Sequence, residues 1–283
     1  MNERKAATGT MLQKVLQGLV SAPYILWMSI FIVVPLAMVA YFAFTTPDGS
    51  FTFEYIKSVG QYTGIFLRSI WLAAIATFIC LLIAYPVAFA LTRMDTSVQS
   101  TMLMLVMLPM WMNFLLRTYA WQTLLGNNGI INTVLGYVGL GPFQMINTQG
   151  AIVLGMVYNY LPYMILPLYS VMIKIDKCVI EAAQDLGCNG FNSLFRVILP
   201  LSVPGIMSGI TMVFVPAIST FIISRMLGGG SQLLIGDLIE MQFLGNAYNP
   251  HLGSAISLIL MIIVLIIMTV MNQFDGDDDK VLI

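Results

Sequence analysis

Hydrophobic positions in this chain come as long unbroken runs, not at the alternating or three-and-four spacing of a soluble fold. Six runs stand out, at about 23–45, 67–92, 101–122, 151–173, 203–224 and 254–272. Each is long enough to cross a hydrocarbon core of roughly 30 Å as a helix of about 20 residues. Lipid offers no partner to a free backbone N–H or C=O, so each run is expected to be helical. The third is the least uniform, because Pro109, Asn113 and Arg117 interrupt it. The pattern predicts an all-α integral membrane protein with six transmembrane helices over residues 23–272.

The segments between the runs set the orientation. Residues 1–22 form a basic, amphipathic lead-in, and the run after them is too long for a signal-peptide core. It is expected to stay as the first span. With the N-terminus inside, Arg4, Lys5, Lys14, Arg93, Lys174, Lys177, Arg196 and Lys280 are cytoplasmic. Lys57, Arg68, Arg117 and Arg225 then lie in outer segments or at outer helix ends. Basic residues collect on the cytoplasmic side, so both termini are expected in the cytoplasm. Residues 273–283 then form an acidic cytoplasmic tail. Two outer stretches, 129–140 and 233–244, space their apolar residues as short helices lying at the interface or over the bundle.

Composition narrows the function. Mean hydropathy is +0.89 and charged residues make up 9% of the chain, so lipid is the surrounding partner and a soluble fold is excluded. A net charge of −1 with no basic stripe argues against nucleic acid. Cys80, Cys178 and Cys188 form no paired motif, and the single histidine, His251, sits in a polar loop. No metal site or catalytic constellation is expected. No charged residue lies mid-span, which weakens an ion-coupled secondary transporter. The glycine-rich stretch 228–231 lacks the lysine of a phosphate-binding loop, and a flexible turn is expected there. The chain is expected to hydrolyse no nucleotide and to bind no cofactor of its own.

One segment breaks the apolar rhythm. About 29 residues after the fourth run, 174–202, carry "KIDKCVIEAAQDLGCNGFNSLFRVILPLS". Ile180, Ala183 and Leu186 make one apolar edge at helical spacing, opposite Glu181, Gln184 and Asp185. Gly187 suits a left-handed helix stop, and Asn189-Gly190 a turn. Pro200 and Pro204 shape the start of the next span by withholding donors. Physically this is a short cytosolic helix suited to a cleft in another protein, or a hairpin at the inner interface that binds nothing.

The order Glu181-Ala182-Ala183, Gly187, then Val197-x-Leu199-Pro200 resembles the cytoplasmic "EAA" loop of binding-protein-dependent ABC importer permeases of type I. Valine stands where isoleucine is commoner. The resemblance implies a coupling helix in which Glu181, Ala182, Ala183, Asp185 and Gly187 dock on an ATPase. It further implies two ATP-binding cassette ATPase subunits holding ATP and Mg, a second, different permease subunit, and an extracytoplasmic substrate-binding protein.

Within that superfamily, "LPMWMNFLLRTYAW" (108–121), "GMVYNYLPYMILPLYSVMIKID" (155–176) and "MLGGGSQLLIGDLIEMQFL" (226–244) are most similar to the B-type spermidine/putrescine permeases. A polyamine path needs aromatic faces and scattered acceptors that do not trap the cation. Tyr158, Asn159, Phe221, Trp111, Asp237 and Glu240 are the candidates for lining it. Arg225 stands where several members of that subfamily carry an acid. Carboxylates are then expected from Asp237 and Glu240 or from the second permease, unless the cargo is another small solute. A membrane protein with a purely structural or assembly role is the remaining class.

Overall fold

The computed structural model describes residues 23–275 apart from 231 and 246, and its regular elements are all helices. The predicted segment 1–22 and the part of the acidic tail beyond residue 275 lie outside the described residues. In chain order the helices are α1 (Pro23–Phe44), α2 (Thr63–Thr92), α3 (Thr96–Trp111) and α4 (Phe114–Leu125). The short α5 (Ile130–Tyr137), α6 (Gln149–Met172) and α7 (Lys177–Asp185) follow. Then come α8 (Leu194–Leu201), α9 (Val203–Ser219), α10 (Ile222–Leu227), α11 (Ile235–Leu244) and α12 (Pro250–Asp275), with short helical turns at Glu54–Ser58, Val59–Tyr62 and Gly190–Ser193 between the longer helices. Helices α1, α2, α6 and α12 are each long and apolar enough to cross a membrane. Two bent pairs, α3 with α4–α5 at 87° and α8 with α9 at 61°, are long and apolar enough only when each pair is taken as one broken span. Counted this way the expected six spans are present.

Prolines explain much of the departure from straight helices. In α1 a π-turn over Ser29–Val33, with the Val34 N–H reaching back to Ser29 O, lies just ahead of Pro35. The same device recurs in α8, where Leu194–Ile198 is a π-turn ahead of Pro200. Widening the turn makes room for a ring that would otherwise strike the preceding turn. The third run was expected as one helix over 101–122, but it breaks at Met112–Asn113. Met112 is extended, and the Asn113 side chain accepts the Leu115 N–H at 2.8 Å as the cap of a new helix. The fifth run, expected to reach residue 224, stops at Ser219. Thr220 is extended there, four residues beyond an internal Pro216, and α10 starts afresh.

Helix α6 is the centre of the molecule. Of its most apolar window 61% is buried, against 0% for α1, so α1 is left to the lipid. Along α2 the buried positions Ala73, Ala76, Cys80, Ala84 and Ala88 recur at three- and four-residue spacing. Small side chains let α6 lie close against this face, which matters in lipid because the apolar solvent supplies no driving force of its own. On the other side α9 approaches α6 through glycines. A Cβ on Gly205 would lie 3.0 Å from Val171 Cβ and 3.1 Å from the Pro167 carbonyl. Helix α12 packs on α1, α9 and α11. Its His251 Nδ1 is 3.0 Å from the Phe42 carbonyl, and its ring stacks on Tyr55 at 5.5 Å.

Candidate functional site

The segment after α6 builds a small projecting helix with both ends capped. Asp176 Oδ1 accepts the Cys178 N–H at 2.9 Å, which starts α7. That bond, reinforced by the Cys178 thiol, holds the Asp176 carboxyl below its ordinary value, and the same contact raises the thiol. At the other end Gly187 adopts φ +89°. The Cys188 N–H reaches the Ala183 carbonyl at 3.0 Å and the Gly187 N–H reaches Gln184 at 2.9 Å, the paired bonds of a left-handed glycine stop. Ile180 is buried and Ala183 half-buried, whereas Glu181, Ala182, Asp185 and Gly187 are exposed. Leu186 departs from the expected apolar edge. It lies just past the end of the helix and is 89% exposed, because the turn at Gly187 swings it outward.

At the opposite end of the bent fifth span, α10 and α11 meet. Gly236 sits directly on the break, where an added Cβ would lie 2.5 Å from the Ser219 carbonyl and 2.6 Å from that of Thr220. Ser69 of α2 accepts the Ile235 N–H at 2.9 Å, and Asp237 Oδ2 accepts the Leu234 N–H at 2.9 Å, so the start of α11 is tied twice. Asp237 is 3% exposed. Burial pushes its carboxyl above the ordinary value, against the Ser224, Leu234 and Arg225 interactions that lower it. One turn on, Glu240 holds Arg225 through both carboxylate oxygens, with Nη1 at 2.8 Å from Oε1. The turn at 228–230 was expected to be flexible. Gly229 and Gly230 take positive φ, and Gly229 packs so closely on the Asn147 side chain that no Cβ would fit.

The other candidates are scattered. Tyr158 is half-buried and meets Trp121 of α4 edge-on at 5.4 Å. Both rings line a largely apolar groove of about 700 Å³ between α2 and α6. Asn159, next to Tyr158, is 2% exposed; its Nδ2 donates to the Gly155 carbonyl at 2.8 Å, and its Oδ1 faces no donor among the described residues. Phe221 is partly exposed immediately after the break at Thr220. Trp111, 72% exposed at the end of α3, has no ring partner among the described residues. Arg117 is buried with its guanidinium 5.8 Å from the Phe114 ring centre, turned inward by the bend between α3 and α4.

Sequence reasoning missed the Arg225–Glu240 pair, the Ser69 tie and the Asp176 cap. Only the last had a local signal, an aspartate directly before a helical pattern. The pair and the tie span 15 and 166 residues, and no short-range pattern reports them.

The helical bundle with bent spans and a projecting polar helix has the fold of type I ABC importer permeases. Its fold matches a permease chain in the crystal structure of a bacterial importer of the acidic polysaccharide alginate. The TM-score is 0.81 at 16% identity, covering 95% of this chain and 98% of that one. The chain belongs to the family described as binding-protein-dependent transport system inner membrane component, whose model matches residues 6–275. It is therefore a membrane transport subunit. Among its relatives is the spermidine/putrescine transport system permease protein PotB of Haemophilus influenzae, 39% identical over 86% of this chain and 88% of that protein. PotB of Escherichia coli is 35% identical over 84% of this chain and 90% of its own length.

Proposed function

We propose that this chain is the B-type permease of an ATP-driven polyamine importer, with spermidine or putrescine as cargo. The observation that carries the substrate class is the 39% identity to a spermidine/putrescine permease across 86% of the chain. The acidic face of α11 supports it, since the buried Asp237 and the half-buried Glu240, which holds Arg225, stand one turn apart there.

In this reading α7 is the handle. Glu181, Ala182, Ala183, Asp185 and Gly187 dock in a groove of one of two ATPase subunits, which hold ATP and Mg and perform the hydrolysis. The exposed Leu186 gives that groove an apolar anchor. Both termini are cytoplasmic, and a second, different permease completes the path. An external binding protein supplies high-affinity recognition and delivers the cargo. Closure of the ATPases draws the handles together and rocks the spans between inward- and outward-facing states. Tyr158, Asn159, Phe221, Trp111, Asp237 and Glu240 line or approach the route, Asn159 only once α10 moves away from α6.

Uptake of labelled spermidine into vesicles holding the whole complex tests the substrate. Excess unlabelled spermidine or putrescine should abolish the signal. Uptake that polyamines do not compete with would remove this cargo and leave another small solute in its place.

A further inference from the structure

We propose that Arg225 is a tethered stand-in for the substrate: its guanidinium occupies the Glu240 carboxylate, and an arriving polyamine must displace it to open the α10–α11 contact. The inference rests on the polyamine reading above and adds to it a residue that sets cation specificity.

The two halves of the pair are unequal. The Glu240 side chain is 18% exposed and the Arg225 side chain 53%. The acid is the fixed member and the cation the one facing water, so the arginine is the half that can leave. Its position is imposed by the backbone. Ser224, the residue before it, is buried with its hydroxyl on the Phe221 carbonyl at 2.9 Å, and Asp237 caps α11 through the Leu234 N–H. Gly236 seats the start of α11 on the Ser219 and Thr220 carbonyls at the break in the span. With α10 and α11 held in this register, Arg225 forms its ion pair with Glu240 and, among the described residues, with no other carboxylate.

The contact sits where a gate would act. It lies beside the joint between α9 and α10, where Thr220 is extended and breaks the fifth span, and on which α11 is seated through Gly236. Asp237, buried and already committed to the Leu234 N–H, is not free to take a cargo ammonium. Glu240 can be freed by exchange alone.

Exchanging one cation for another leaves the Glu240 charge paired throughout, so the acid is never stranded without a partner. The departing guanidinium is already half in water, and an exposed pair of this kind is weak. A single ammonium gains little by replacing the bidentate fork, which matches a carboxylate better. A diamine or triamine brings further charges to nearby aromatic faces and acceptors, so displacement favours several charges on one flexible chain. The arginine at the mouth of a cation path, which looked contrary to a polyamine cargo, then becomes a filter for it.

The test uses the complete complex in vesicles with its binding protein, comparing Arg225→Gln and Glu240→Gln with wild type. Two readouts are taken: ATP hydrolysis without substrate, and the spermidine concentration giving half-maximal uptake. Both variants unlatch the contact, so both should raise substrate-free hydrolysis by roughly two- to fivefold, the scale of one exposed ion pair. The half-maximal concentration should move in opposite directions, falling in Arg225→Gln and rising in Glu240→Gln. A pair that is merely structural would shift it the same way in both variants, and that result, or no shift in either, would overturn the latch. Arg225→Lys, which keeps the cation but loses the guanidinium fork, should move both readouts in the direction of Arg225→Gln and by less; a change as large as that of Arg225→Gln would count against the latch. A wild-type complex that takes up no labelled spermidine would sink the substrate reading itself, a failure separate from the variants' behaviour.

Discussion

Asp237 shows how one side chain can be costly and necessary at once. Its carboxyl is raised by burial, so its charged form is the less favoured one in the fold. That contribution turns against folding as pH rises through the ordinary carboxylate value of 3.8 towards the higher folded value. Yet the same carboxylate is the acceptor for the Leu234 N–H at the start of α11. Asp237→Asn keeps an acceptor and sheds the charge, so thermal stability in detergent should stay within about 1 kcal/mol of wild type. Asp237→Leu strands a buried N–H and should cost about 1–3 kcal/mol. Equal stability of the two variants would show that the cap is not what the aspartate supplies. The glycine stop at Gly187 was legible from sequence, because a left-handed turn after a polar helix has few other solutions.

Among the elements, the long apolar runs translated directly into helices, and the failures share one cause. The breaks at Met112–Asn113 and at Thr220 lie inside runs whose hydropathy never drops enough to announce an end. Hydropathy reports the solvent and not the direction of the axis. Prolines at 109 and 216 were visible, but a proline is tolerated in a membrane helix, so its presence alone does not mark a bend. The glycines on α9 carry a sharper consequence. Gly205 has room for no side chain against Val171 and the Pro167 carbonyl, so Gly205→Val should push α9 off α6. A loss of about 1–3 kcal/mol is expected from such overpacking, read as a lower melting temperature in detergent. An unchanged melting point would mean that α8 and α9 bend further to absorb the added carbon.

For the whole molecule, the two parts proposed to act in transport are separate structures, the α7 helix and the α10–α11 contact, joined by the buried α6 and the bent fifth span. Transport as proposed depends on that connection staying stiff. Glu181 is exposed and makes no hydrogen bond or ion pair among the described residues, so reversing its charge should leave the bundle intact. Glu181→Lys is expected to insert normally, keep its melting temperature, and lower ATP-driven uptake at least tenfold. That corresponds to losing about 1.4 kcal/mol or more of docking, within the range for a charged hydrogen bond. Full uptake with Lys at this position would separate α7 from the ATPases.

The sequence by itself determined the solvent, the number of apolar runs and the helical handle with its glycine stop. Each of these follows from side chains within about twenty residues of one another and from the demand that lipid makes on every backbone group. Tertiary structure alone decided where two spans bend, that Asn159 turns into the core, and that Arg225 closes on Glu240. Those outcomes depend on which distant surfaces meet, and neither a helical period nor a hydropathy value carries that information.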